Sequence, residues 1–82
     1  MKRRVLAVYW RDAAQHGPWA SEAELQEFID DRQDCLTIGI EVRRDKHALH
    51  LAATFGGDEV GGIWKIPNKM IQKVVVIGRL TT

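Results

Sequence analysis

Residues 61–80, GGIWKIPNKMIQKVVVIGRL, constrain the fold more tightly than any other stretch of the chain. A β-prone run, 63–66, meets Pro67, whose missing N–H ends a hydrogen-bonded ladder. Asn68, Lys69 and Met70 then have the length of one 3₁₀ turn, and Met70 and Ile71 can close the end of a core. Val74, Val75, Val76 and Ile77 follow without a polar break, the pattern of a strand covered on both faces. A strand, a single turn and a second strand near the C-terminus are the habit of small barrels of the SH3-like or Sm-like kind. There the last strand crosses to pair with the first.

The rest of the chain supplies the other elements. Residues 5–10 are apolar on both faces and read as a buried strand, broken beyond by Gly17-Pro18. Ser21 followed by Glu24 is a capping-box pattern, so a helix should span about 22–31. Its apolar stripe of Ala23, Leu25, Phe28 and Ile29 is expected to lie on a sheet. Residues 36–43 alternate, which puts Leu36, Ile38, Ile40 and Val42 inward and Thr37, Gly39, Glu41 and Arg43 outward. Strands over 47–55 and 60–66 follow, joined by a Gly-Gly-Asp-Glu hairpin, with Leu49, Leu51, Ala53 and Phe55 inward. Gly39, Gly61 and Gly62 fall inside strands, where glycine marks a bend or a close approach.

The expectation is an α+β, mostly β fold over residues 1–82 as one domain. It is a five-stranded antiparallel SH3-like or Sm-like barrel with one α-helix between strands one and two. The alternative is an open antiparallel sheet with the helix packed across it.

A chain of 82 residues buries only about 60% of its unfolded surface, so it needs help to be stable. One cysteine, Cys35, supplies neither a disulfide framework nor a cysteine metal site, and fits a reducing compartment. Oligomerisation is the remaining common device, and 45% apolar residues with three tryptophans agree with it. If Val74 and Val76 point inward, Val75 and Ile77 point outward, and Ile63 is exposed beside Trp64. These three residues, Ile63, Val75 and Ile77, are the candidate oligomer interface. The basic start, Lys2-Arg3-Arg4, precedes too short an apolar run for export, and no run approaches the roughly 20 residues of a membrane span. The reading is a soluble, cytoplasmic protein with no membrane partner.

Charge is uneven although the net is only +1. Residues 21–34 carry Glu22, Glu24, Glu27, Asp30, Asp31 and Asp34 against Arg32, while Lys65, Lys69, Lys73 and Arg79 follow the last acid. Such asymmetry admits an anionic ligand or an acidic partner, or is simply solvated surface. Trp10, Asp12 and Trp19 flank the loop before the helix. Either the rings stack on a planar ligand that Asp12 anchors, or they fill the core while Asp12 caps backbone N–H groups. Arg43, Arg44, Lys65 and Lys69 would meet phosphates if they share a rim. His47 and His50 stand an odd spacing apart, so they do not share a metal. His16 and Cys35 carry no catalytic signature, and 56–62 reads as a hairpin rather than a phosphate loop.

Trp10, Asp12, Ala13, Trp19, Thr37, Gly39, Gly61, Gly62, Ile66, Pro67, Met70 and Ile71 together form a pattern over most of the chain. It resembles a widespread group of small phage and prophage proteins of unknown function. The resemblance implies a viral origin and a small β-rich domain, and it brings no catalytic residues or cofactor. The functional expectation is therefore a non-enzymatic, homo-oligomeric phage binding module. In its sharpest form it sequesters a nucleotide-like host signal through Trp10, Asp12, Trp19, Arg43, Arg44, Lys65 and Lys69. The alternatives are an adaptor that binds a host or phage protein by edge-strand pairing, and single-stranded nucleic-acid binding, which the sparse aromatics disfavour.

Overall fold

The computed structural model describes residues 2–15 and 17–81. The long apolar runs at the two ends of the chain pair with each other. β1 (Lys2–Arg11) lies between β2 (Asp34–Arg44) and β7 (Ile71–Thr81), antiparallel to both. β3 (Ala48–Ala52) pairs with β2, and β6 (Trp64–Pro67) with β3, giving a five-stranded sheet in the order β6-β3-β2-β1-β7. Pro67 ends β6 as expected, the 3₁₀ turn Asn68–Met70 follows, and β7 begins at the opposite edge. One short turn thus carries the chain from one edge strand to the other.

The sheet curls but does not close. Trp10 on β1 and Trp64 on β6 stand three places apart in the sheet, which is about 14 Å when flat. Their ring centroids are 6.4 Å apart. The concave side holds the core: Leu6, Val8, Leu49, Leu51 and Ile66, with Trp10, Ile71 and Val74 against it. No ladder joins β6 to β7 among the described residues, so the expected closed barrel is corrected to an open sheet.

The strands expected over 47–55 and 60–66 are each broken. Past Ala53, β4 (Thr54–Gly56) and β5 (Glu59–Gly61) form a separate two-stranded sheet. The kink sits where Ala53 N–H donates to Gly61 O at 3.1 Å and Gly62 O at 3.2 Å. Gly62 has φ +62° and its missing Cβ would stand 2.7 Å from Ala53 Cβ, so only glycine fits. The hairpin reading of 56–62 holds, with its turn at Gly57-Asp58.

The alternation in β2 has the expected period and the opposite phase. Leu6 faces Gly39 and Val8 faces Thr37 across the ladder, so Thr37 and Gly39 lie on the concave, core side. Leu36 and Ile38, expected inward, lie on the convex side and are 52% and 58% exposed. The reason is space. A Cβ on Gly39 would stand 3.0 Å from Leu51 Cβ and 3.2 Å from Ala52 O, so a larger residue there would crowd the inside of the curl. A bulge in β2 at Val42 then restores Arg43 to the convex side, opposite His50.

Helix α1 (Glu22–Asp30) forms as the capping box dictates. Ser21 Oγ accepts from Glu24 N–H at 3.2 Å and donates to Glu24 Oε1 at 3.1 Å. The helix does not lie on the sheet, contrary to expectation: it fully buries none of its residues, Phe28 alone being half-buried, and makes no extended contact with a strand among the described residues. It belongs to an arm whose described residues are 13–15 and 17–32, closed at its base where Asp12 N–H donates to Gln33 O at 3.0 Å. The Cα radius of gyration is 16.5 Å, against about 12 Å for a compact chain of this length. No helix among the described residues is long and apolar enough to cross a membrane.

Candidate anion-binding depression on the convex face

The convex side of the sheet carries alternate residues of each strand. On β1 these include Arg3, and on β3 His50. The bulge puts Arg43 level with His50, and Lys65 on β6 is the next partner along the same row. Arg3 is steadied by two contacts. Its Nη1 donates to Glu41 O at 3.5 Å, and its guanidinium lies 4.3 Å from the centre of the Phe55 ring. Arg3, Arg43 and His50, with Val42, Ile63 and Asp45, line an open depression of about 520 Å³. That volume is within the range of small-molecule sites, and apolar walls with a few convergent polar groups are their usual make-up.

Asp45 is the one acid in this lining. Its Oδ1 accepts from His47 N–H at 2.8 Å and Ala48 N–H at 2.9 Å. These bonds, Ala48 first, hold its carboxyl below the ordinary carboxylate range, so it is charged and turned towards the β2–β3 turn. His50 Nδ1 stands 3.3 Å from Arg43 O, which leaves Nε2 as its outward polar atom.

Arg3 also lines a second basic depression of about 360 Å³, with Lys2, Arg4, Arg79, Leu80 and Thr81. Arg4 is engaged there: Nε donates to Glu41 Oε1 at 2.8 Å and Nη2 to Oε2 at 2.6 Å. This pairing lowers the Glu41 pKa and raises that of Arg4. A third depression, about 400 Å³, lies at the far end of β1 around Tyr9, Trp10, Arg11, Asp34, Cys35, Gln72 and Lys73. Its charges are partly matched, since Arg11 Nε meets Asp34 Oδ1 at 2.9 Å.

The residues singled out in the sequence do not form one site. Trp10 packs beside the core, and its indole N–H donates to Thr37 Oγ1 at 3.0 Å. Asp12 ties the base of the arm, and Trp19 stands on the arm, 88% exposed. Arg44 faces away from Arg43: its Nε donates to Asn68 Oδ1 at 2.9 Å beside the 3₁₀ turn that carries Lys69. Only Arg43 and Lys65 share the convex row. Of the candidate interface residues, Ile63 lines the depression, Ile77 sits at the β7 bulge and is 52% exposed, and Val75 is half-buried on the convex face beside Ala7. His16 lies outside the described residues. Cys35 is half-buried, with Sγ 3.5 Å from Gln33 O.

Nothing in the sequence pattern brings Arg3, Val42 and His50 together: Val42 reads as an inward strand residue and His50 only as a partner of His47. Arg3 sits in the basic run Lys2-Arg3-Arg4, which resembles a targeting start, and β1 periodicity alone does not say which face is convex. Among the described residues no three His, Cys, Asp or Glu side chains are grouped to hold a metal. No family model matches the chain, and no curated protein or solved structure matches it at a significant level.

Proposed function

We propose that the chain is a non-enzymatic, homo-oligomeric binding module that takes a phosphate-bearing, nucleotide-like ligand in the depression of Arg3, Arg43 and His50. One observation carries the reading: two guanidinium groups and an imidazole converge on one pocket-sized hollow with apolar walls. Guanidinium groups bind phosphate oxygens in pairs, and Lys65 lies next along the same row. Val42 and Ile63 offer an apolar surface for a base. The phage resemblance in the sequence fits a small cytoplasmic module that withdraws a host signal.

Isothermal titration against linear nucleoside di- and triphosphates and cyclic dinucleotides tests this. Saturable heat with at least one, weakened at least tenfold by Arg43→Gln, is expected, as for the loss of a charge-assisted hydrogen bond. No heat with any member of the panel would overturn it.

A second reading has its own observation. β6 and β7 are both edge strands, and Ile63 beside one and Ile77 within the other are exposed. Such edges accept a strand from a host or phage protein. Here Ile77→Lys, and not Arg43→Gln, would abolish the interaction.

A further inference from the structure

Two exposed apolar surfaces among the described residues face solvent without cover. The first is the convex face at the middle of the sheet. Tyr9 is opposite Leu36, buried Ala7 opposite Ile38, and half-buried Val5 opposite half-buried Ile40, with half-buried Val75 across from Ala7 on the other side. Tyr9, Leu36 and Ile38 are 42%, 52% and 58% exposed. The second is α1, where Leu25 and Ile29, one helical turn apart, are 46% and 62% exposed. Among the described residues α1 makes no extended contact with any strand of the sheet.

Their charges match as well. The arm carries Glu22, Glu24, Glu27, Asp30 and Asp31 against Arg32, whereas Lys73 stands at the edge of the convex apolar patch. Lys73 Nζ lies 5.7 Å from the centre of the Tyr9 ring, at the border of the apolar patch. An acidic helix with an apolar stripe fits an apolar face with a basic edge.

The areas say how much cover is missing. The chain exposes 6436 Å². A compact folded chain of this mass exposes about 5,000 Å², so roughly 1,400 Å² per chain is in excess. A stable interface takes about 800 Å² from each partner. The excess is enough for a two-fold interface in which each copy gives its helix and receives the other's.

We propose that two copies exchange their arms, α1 of each lying across Tyr9, Leu36 and Ile38 of the other. Exchange of an element between identical chains is a common route to a dimer, and its interface is self-complementary. The inference rests on the homo-oligomeric part of the reading above and not on the anion depression. It moves the subunit contact from the strand edges to the face of the sheet.

Cysteine cross-linking tests the exchange, in a Cys35→Ser background. Chains of two sizes, one Ile29→Cys and the other Ile38→Cys, are mixed, refolded together and oxidised. A cross-linked band joining the two sizes is expected. If the mixture gives no such band, while a chain carrying both substitutions closes only on itself, the helix covers its own sheet and the exchange is wrong. Sedimentation gives a second arm, since all the positions are exposed in the single chain and their substitution spares the core. Ile38→Lys and Ile29→Lys should each weaken dimerisation at least tenfold, and Ile77→Lys should not. Dissociation by Ile77→Lys alone would overturn the exchange yet leave a homo-oligomer built through strand edges. A monomeric parent protein would remove both. Nucleotide titration reads the depression separately in every case.

Discussion

Replacing Gly39 by valine should destabilise the fold, although strands ordinarily favour valine over glycine. On a half-open strand surface the exchange gains up to about 1 kcal/mol. At Gly39 the first added atom already stands 3.0 Å from Leu51 Cβ and 3.2 Å from Ala52 O. Both belong to β3 at positions fixed by the backbone, so neither rotates aside. Valine then adds two methyl groups on the concave side, where Leu6 and Leu51 are fully buried. Overpacking of this kind costs about 1–3 kcal/mol. For a domain of this size that lowers the melting temperature by roughly 4–8 °C per kcal/mol. Gly61 is the control: a Cβ there meets only Thr54 Cβ, at 3.8 Å. Urea unfolding followed by tryptophan fluorescence, with the m-value checked for constancy, gives both numbers. Gly39→Val should lose at least 1 kcal/mol while Gly61→Val stays within about 0.5 kcal/mol. A Gly39→Val protein as stable as its parent would refute the inward placement of Thr37 and Gly39, and with it the exposed convex face.

Two further outcomes follow from the same geometry. Leu49 is fully buried in a cluster of five, so Leu49→Ala should cost about 3 kcal/mol by urea unfolding, a large share of the roughly 4–12 kcal/mol expected of a domain this size; a loss below 1 kcal/mol would contradict the core described. Glu41 has its pKa lowered first by the hydrogen bond from Arg4, so its contribution is complete above the ordinary carboxylate range and fades as pH falls through the depressed value. Glu41→Gln should therefore flatten the decline of melting temperature between neutral and acid pH, and an unchanged slope would show the pair to be inert.

Much of the fold is legible in the sequence because the signals are local. Ser21 and Glu24 set the start of the helix, Pro67 ends β6, and the Gly57-Asp58 turn sits where glycines cluster. What the sequence does not carry is which way a strand faces. Leu36, Ile38 and Ile40 alternate as a core face would, and only the crowding of Gly39 against Leu51, two strands' worth of geometry, assigns them to the outside. The same limit hid the site. Arg43 and Arg44 are neighbours in sequence and diverge in space, because a bulge at Val42 turns Arg43 towards His50 and leaves Arg44 to Asn68. Arg3 joins them from the other end of the chain through the register of β1 with β2.

The mass of the particle in solution bears most directly on the uncovered convex face. Sedimentation equilibrium at micromolar concentration should give twice the 9.3 kDa of the chain. A single species of 9.3 kDa that persists on concentration would contradict it.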